Sequence, residues 1–277
     1  MKIIPTLCSA CGADFVHLAC VPESHPLRKF LTERFYGPVL ASPLEPRWIL
    51  NIPHSWEEFL KIRSTNTRNN IRRHERKLKE RCKSLETVLH FSGDGETFER
   101  IWSDVMEVFR STYQYRLSLS PLKDPNARRT WDHLDRLGRL AVTLVRADGK
   151  PVAFAWAQIY KDCAALGTPG YDPAMADLFV GEYAILRLIE LLIETGKLKT
   201  LDYGLGYSQY KQTLGTSCQL EGHIRLYSTS SKGKRLYFLM KGIAELNALV
   251  NKFSEKIGVK KFLKGLAKGR VFLFATI

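Results

Sequence analysis

The sequence predicts an α/β (α+β) fold built on a mixed sheet: an antiparallel meander, a crossover helix, then a strand that returns parallel to its neighbour. Three observations carry this. Leu140–Ala147 (LAVTLVRA) and Pro151–Tyr160 (PVAFAWAQIY) are apolar runs joined through Asp148-Gly149, the dipeptide that a type I′ hairpin turn favours because both positions need positive φ. Lys161-Asp162 turns the chain again into Cys163–Tyr171, a third strand. Tyr183–Thr195 then sets Ile185, Leu188, Ile189, Leu192 and Ile193 on one helical face and stops at Gly196, and Leu198–Asp202 follows as a strand after a right-handed crossover.

The other elements follow in order. Ala13–Val21 reads as a strand and His25–Phe35 as a short helix with Leu27, Phe30 and Leu31 on one face. Pro38, Pro43, Pro46 and Pro53 punctuate a connection around a strand at Arg47–Ile52. Ser55-Trp-Glu-Glu58 is a capping box, in which the serine hydroxyl and the Glu58 carboxylate satisfy free amides at a helix start. The basic stretch Thr67–Leu78 is helical by propensity, with a thin apolar seam of Ile71, Leu78 and Leu85. Gly93–Gly95 breaks that pattern, and an amphipathic helix through Phe98, Ile101, Trp102, Val105, Phe109 and Thr112 follows, ending at Tyr113–Arg116. Leu117–Pro125 is a loop, and Asn126–Leu137 a helix stopped by Gly138. Pro173–Val180 is again a loop, and Ile224–Thr229 a last short strand before a basic helical tail.

A chain of 277 residues, 45% hydrophobic and 25% charged, buries a large core as one large or two small domains. No apolar run reaches the length of a membrane span, and Met1–Leu7 is too short for a signal-peptide core, so a cytoplasmic location with reduced thiols is expected. Cys8 and Cys11 form a lone CxxC, followed by His17 and Cys20 inside a strand-like run; without a second CxxC no metal site is expected. The net charge of +14 is concentrated. Lys61–Lys83 holds ten Lys/Arg against two Glu, and Lys232–Arg270 eleven against two. Such segments suit phosphorylated substrates, lipid head groups or nucleic acid, or are solvated helix faces. The tail interleaves Leu236, Phe238, Leu239, Ile243, Leu246, Leu249 and Phe253 with its charges, as a helix lying on a membrane or packed on the core would.

Leu201–Lys211 (LDYGLGYSQYK) gathers the chemistry. Gly204 and Gly206 form a turn at a strand's C-terminal edge that lets backbone come close to another group, or is a plain strand-to-helix connection with a surface lysine, and Asp202, Tyr210 and Lys211 stand within ten residues of one another. Asp202 either orients or deprotonates an acceptor or hydrogen-bonds the glycine turn. Tyr210 either protonates a leaving group or packs, and Lys211 holds a phosphate or stabilises developing negative charge.

The meander, glycine-started helix, returning strand and short helix resemble the acyl-CoA N-acyltransferase (GNAT) fold. Ser55-Trp-Glu-Glu-Phe-Leu, Arg68-Asn-Asn-Ile-Arg-Arg, Gly170-Tyr-Asp172, Asp202-Tyr-Gly-Leu-Gly and Tyr210-Lys211, in that order, look like the BioF2-like acetyltransferase domain over roughly Asp14–Leu226. That branch is related to Fem-type aminoacyltransferases and to proteins of exopolysaccharide and cellulose operons. The resemblance implies splayed parallel strands after Tyr171 and Asp202, and acyl-CoA as co-substrate. Gly181, Glu182, Tyr183, Gly204 and Gly206 would hold the donor, with Glu182 a helix-start residue or a base. Asp202, Tyr210 and Lys211 would be catalytic. Arg68, Arg72, Arg73, Tyr171 and Asp172 would bind the acceptor, unless the arginines are an exposed face and Asp172 caps the turn before Pro173. The acceptor would be a small-molecule, glycan- or lipid-linked amine or hydroxyl of the cell envelope or of polysaccharide synthesis. Aminoacyl-tRNA is the alternative donor, and a non-catalytic module at the anionic inner face of the membrane the alternative function. The expected organisation is a partial first GNAT-like lobe at 1–54, a core at 55–230 and a basic helical segment at 231–277. Two departures stand out: the chain starts partway through the first lobe, as a short variant or a truncated start, and Ala176-Asp-Leu-Phe-Val-Gly181 lacks the usual pyrophosphate loop.

Overall fold

The computed structural model describes residues 10–34, 37–92, 95–117 and 120–256. Along the chain its elements are β1 (Phe15–Pro22), α1 (Pro26–Glu33), β2 (Val39–Ala41), β3 (Glu45–Asn51), α2 (Trp56–Lys61), α3 (Thr65–Arg81), β4 (Leu85–Phe91), α4 (Gly95–Ser111) and α5 (Tyr113–Leu117). They continue with α6 (Ala127–Arg136), β5 (Leu140–Ala147), β6 (Lys150–Tyr160), β7 (Cys163–Leu166), β8 (Gly170–Tyr171), α7 (Val180–Glu194), β9 (Thr200–Leu205), α8 (Gln209–Leu214), β10 (Ser217–Tyr227) and α9 (Ser231–Lys256). Short 3-10 turns lie at Pro121–Lys123 and Pro173–Leu178.

Two compact units emerge. One is Trp48–Ser217; the other joins the described residues up to Arg47 with those from Cys218 on. The two ends of the chain meet in the second unit because β1 pairs antiparallel with β10, from Phe15↔Tyr227 to Pro22↔Glu221. No local pattern announces a partner two hundred residues away. β10 also pairs with β2, and Val21, Leu31, Ile224 and Leu226 form this unit's small core.

In the Trp48–Ser217 unit the strand order is β3-β9-β7-β6-β5-β4, with β8 on β6. β5 and β6 each carry six consecutive buried residues, the mark of strands covered on both faces. Ala141, Val145, Ala153, Ala155 and Ala157 face α7 and the Ile71–Leu78 seam of α3; their small side chains let the helix sit close. The alternate residues Leu140, Val142, Leu144, Phe154 and Trp156 meet α4 and α6 through Phe98, Ile101, Val105, Phe109 and Trp131. The hairpin turn forms as its sequence demands, with Asp148 at φ 52° and Gly149 at φ 78°. The capping box forms too: Ser55 Oγ accepts from Glu58 N at 3.1 Å, and Glu58 Oε2 accepts from His54 N at 3.0 Å.

β4 is the element missed by periodicity. Leu85 begins this strand, which pairs with β5 from Leu85↔Ala147 to Phe91↔Ala141, and so does not extend the α3 seam. Its inward position is filled by His90, whose Nε2 lies 2.5 Å from Asp135 Oδ1 of α6 with both side chains almost fully buried. A polar residue at a core position hides the strand pattern.

Two glycines shape the edge that follows. A Cβ on Gly167 would stand 2.0 Å from Trp156 Cε2, and one on Gly170 would stand 2.4 Å from Phe154 Cε1. Trp156 fixes the bend further, donating from Nε1 to Thr168 O at 3.3 Å while its carbonyl accepts from Gly167 N at 2.9 Å. Gly167→Ala should therefore cost about 1–3 kcal/mol by overpacking, read as a lowered urea midpoint. An unchanged midpoint would mean that the indole swings aside at no cost.

Candidate active site

β7 and β9 run parallel from Cys163↔Thr200 to Ala165↔Asp202. Beyond that pair the two chains have different fates. The β7–β8 segment follows β6, with Phe154↔Gly170 and Ala153↔Tyr171 paired, because Gly167 and Gly170 press it onto Trp156 and Phe154. β9 runs on through Tyr203, Gly204 and Leu205. The parallel pairing thus stops at Ala165↔Asp202, beyond which the β7–β8 bend stays paired with β6 and β9 continues to Leu205.

The end of β9 is held by its own polar side chains. Asp202, buried, accepts from Gly204 N at 2.8 Å through Oδ1, closing a turn that puts Gly204 at φ 71° and Gly206 at φ 92°. Lys211 Nζ donates to Leu205 O at 2.8 Å and Gly204 O at 3.4 Å, tying α8 back to the same turn. Arg63, also buried, donates through Nη1 to Thr213 O at 3.2 Å and Gly215 O at 2.9 Å, and its guanidinium lies 4.7 Å from the Phe59 ring. A cation at the last carbonyls of α8 satisfies groups that the helix leaves unpaired.

Two phenols stand beside this turn. Tyr203 is the first β9 residue past the β7 pairing, and its ring meets that of Tyr210 edge-on with centroids 6.0 Å apart. Burial pushes the Tyr210 phenol up to about 12, and the nearby Tyr113 of α5 adds to the shift. Burial raises Tyr203 as well, against a smaller opposite pull from Arg63. Both hydroxyls therefore keep their protons at neutral pH.

The start of α7 packs against Tyr171 of β8. Phe179 is its N-cap at φ 57° and gives no side-chain cap, so the amides of the first turn are left without one. The Tyr171 ring occupies the space over Gly181, where a Cβ would lie 2.7 Å from Tyr171 Cδ1. Glu182 Oε1 is 3.4 Å from His74 Nδ1 of α3, and the His74 ring stacks on Phe179 with centroids 3.5 Å apart. Tyr183 points elsewhere: its hydroxyl is 3.4 Å from Thr87 Oγ1 of β4, and its ring packs by Arg187.

Of the other residues singled out by sequence, Arg68 donates to Arg63 O at 2.8 Å and to Thr65 Oγ1 at 3.1 Å, spanning the end of α2 and the start of α3. Arg72 and Arg73 are exposed on α3. Asp172 caps the following 3-10 turn, accepting from Ala174 N at 3.0 Å. Sequence reasoning missed Gly167, Tyr113, His74 and Arg63. Gly167-Thr-Pro-Gly170 was visible as a breaker cluster inside an apolar run; the other three act through contacts distant in sequence. Cys8 lies outside the described residues. Among the described residues, no cluster of His, Cys, Asp or Glu is placed to hold a metal, and no helix is long and apolar enough to cross a membrane.

Known proteins agree with this topology. A family model for the acetyltransferase (GNAT) domain matches residues 65–212, more than half of the chain. The chain belongs to the GNAT acetyltransferase family. No curated protein matches it in sequence. Among solved structures, FemX is similar over 84% of this chain and 76% of its own, at 10% identity and a TM-score of 0.54. The C-terminal domain of an assigned lysylphosphatidylglycerol synthetase from Agrobacterium fabrum is similar over 84% of this chain and 73% of its own, at 11% identity and a TM-score of 0.53. A conserved protein of unknown function from Bacteroides thetaiotaomicron aligns over 82% of this chain and 74% of its own, at 13% identity and a TM-score of 0.53. At such identities the likeness is one of GNAT fold.

The raised phenols of this GNAT domain give a pH signature. An unfolded tyrosine ionises near its ordinary 10.0, and folded Tyr210 only near 12. Between those values the unfolded state releases a proton that the folded state keeps, so the contribution of Tyr210 to stability should be constant below that window and be lost as pH rises through it. An ultraviolet titration should show Tyr210 absent from the first tyrosinate step in the native protein and present in it in urea. Equal titration in both states would place that hydroxyl in water.

Proposed function

We propose that this GNAT domain transfers an acyl group from acyl-CoA, acetyl or longer, to an amine or hydroxyl of a cell-envelope or polysaccharide-related acceptor by direct attack. One observation carries the proposal: the β7–β9 pairing stops at Ala165↔Asp202, beside a phenol that burial keeps protonated.

Coenzyme A, when bound, supplies a thioester on a phosphate-bearing arm. The uncapped first turn of α7 suits such a phosphate through its amides and the positive end of the helix dipole. The Glu182 carboxylate opposes an anion there, and His74 at 3.4 Å offsets it when protonated. Backbone amides of the opened strands bind the carbonyl oxygen as it gains charge, an effect worth about 3 kcal/mol for a single donor. The acceptor nitrogen or oxygen bonds to the carbonyl carbon as the carbon–sulfur bond breaks. Tyr210 Oη gives its proton to the departing sulfur, and the acceptor's own proton, released to water, returns to Tyr210 and restores the phenol. With Asp202 and Lys211 engaged by the backbone of the β9 turn, alignment of the two substrates is the main contribution, worth roughly 7–11 kcal/mol where the geometry is good. Support for an envelope acceptor is the shared fold with FemX and with a domain named for lysylphosphatidylglycerol synthesis.

A second donor, aminoacyl-tRNA, is favoured by the exposed Arg72 and Arg73 on α3 and by the carboxylate at the phosphate seat. RNA phosphates pair with such a basic face, in a salt-dependent way.

The purified full chain should melt at a higher temperature with acetyl-CoA or palmitoyl-CoA. Tyr210→Phe should retain that shift while slowing acyl transfer to hydroxylamine by about 10²-fold, the lower range for loss of a general acid. No stabilisation by either thioester, together with co-purifying tRNA, would replace this donor with the second one. Full activity in Tyr210→Phe would leave that residue a packing role only.

A further inference from the structure

We propose that α9 docks in the plane of an anionic phospholipid bilayer, through an apolar face that is exposed among the described residues. The helix begins on its own unit: Leu236, Tyr237 and Met240 are half-buried, and the Tyr237 ring meets Tyr227 with centroids 5.7 Å apart. From Lys241 to Leu249 every side chain is exposed. Phe238 (67% exposed), Leu239 (60%), Leu246 (61%), Leu249 (53%) and Ile243 (44%) face solvent. At about 100° per residue these five fall within an arc of roughly 140°, a broad stripe rather than a narrow coiled-coil seam. A Cβ on Gly242 would meet nothing within 4 Å, as expected of a residue inside that open arc. Single exposed apolar residues need no explanation, but five on one helical face mark a surface built to be covered.

Charge identifies what covers it. Residues 231–256 hold six Lys/Arg against two Glu. Lys234, Arg235 and Lys241 are exposed, with Lys234 and Lys241 two turns apart along one edge of the stripe. Glu245 stands on that edge too, 4.0 Å from Lys241, but the helix keeps a net positive charge, so a second copy would set two net-positive helices against each other. A bilayer rich in acidic lipid accepts both features at once, taking the apolar side chains into the acyl boundary and the cations at the head groups. The helix is not apolar enough to cross the membrane, so it lies on it.

The test is co-sedimentation of the full chain with vesicles of equal parts phosphatidylcholine and phosphatidylglycerol, with pure phosphatidylcholine alongside. Binding should be confined to the acidic vesicles and weaken as salt is added. It should fall at least tenfold in Leu239→Ser/Leu246→Ser and in Lys234→Glu/Lys241→Glu, both with wild-type melting curves because the altered side chains are exposed. Absent binding, or equal binding to both vesicle types, overturns the proposal. A lowered melting temperature in the serine variant would mean that another part of this chain covers the stripe. A smaller mass by light scattering in that variant would mean that a second copy does. Either result also overturns it.

Discussion

The contact between two glycines and two aromatic rings on the neighbouring strand governs the rest of the site. Gly167 and Gly170 lack the atoms that would collide with Trp156 and Phe154, so the β7–β8 segment lies flat on β6 and bends with it. β9 is pinned to β7 only as far as Asp202, and its last residues are turned by Asp202, Gly204 and Lys211. A sheet so built must open at one place. The rings that hold the edge are themselves clamped from behind by Trp131 and the α4 face, so the opening is set by the core rather than by a loop. Close-packed interiors resist deformation, so the place where the β7–β9 pairing ends is held by the core.

Much of this architecture was legible from sequence because its signals are local. Asp148-Gly149 specified a hairpin, Ser55 and Glu58 a helix start, and the Ile185–Ile193 stripe a buried helix, and each formed. What escaped depends on partners remote in the chain. His90 occupies a core position because Asp135 meets it from α6, and no pattern in Leu85–Phe91 could say so. β1 and β10 are joined across nearly the whole sequence, which no local pattern in either strand announces. The elements of the site were likewise legible as types of residue, while their engagements were not.

Those engagements change where the chemistry can reside. Asp202 is bonded to an amide, Lys211 to two carbonyls, Arg68 to the junction of two helices and Asp172 to a 3-10 turn. Each looks like a reagent in the sequence, and each has a backbone partner in the fold. A buried carboxylate or ammonium needs such partners, since desolvation without them costs several kcal/mol. Beside the same turn stand the phenols of Tyr203 and Tyr210, which are neutral at neutral pH. Acyl transfer is a reaction such groups can serve: the barrier falls mainly by holding nucleophile and carbonyl in line, and the developing oxyanion needs preorganised donors more than a strong base. A neutral amine that enters the cleft without its extra proton brings its own nucleophilicity. Under the proposed acyl transfer to an amine, the protonation state of the acceptor on entry, rather than a side-chain dyad, would set how the rate responds to pH below the range in which Tyr210 titrates.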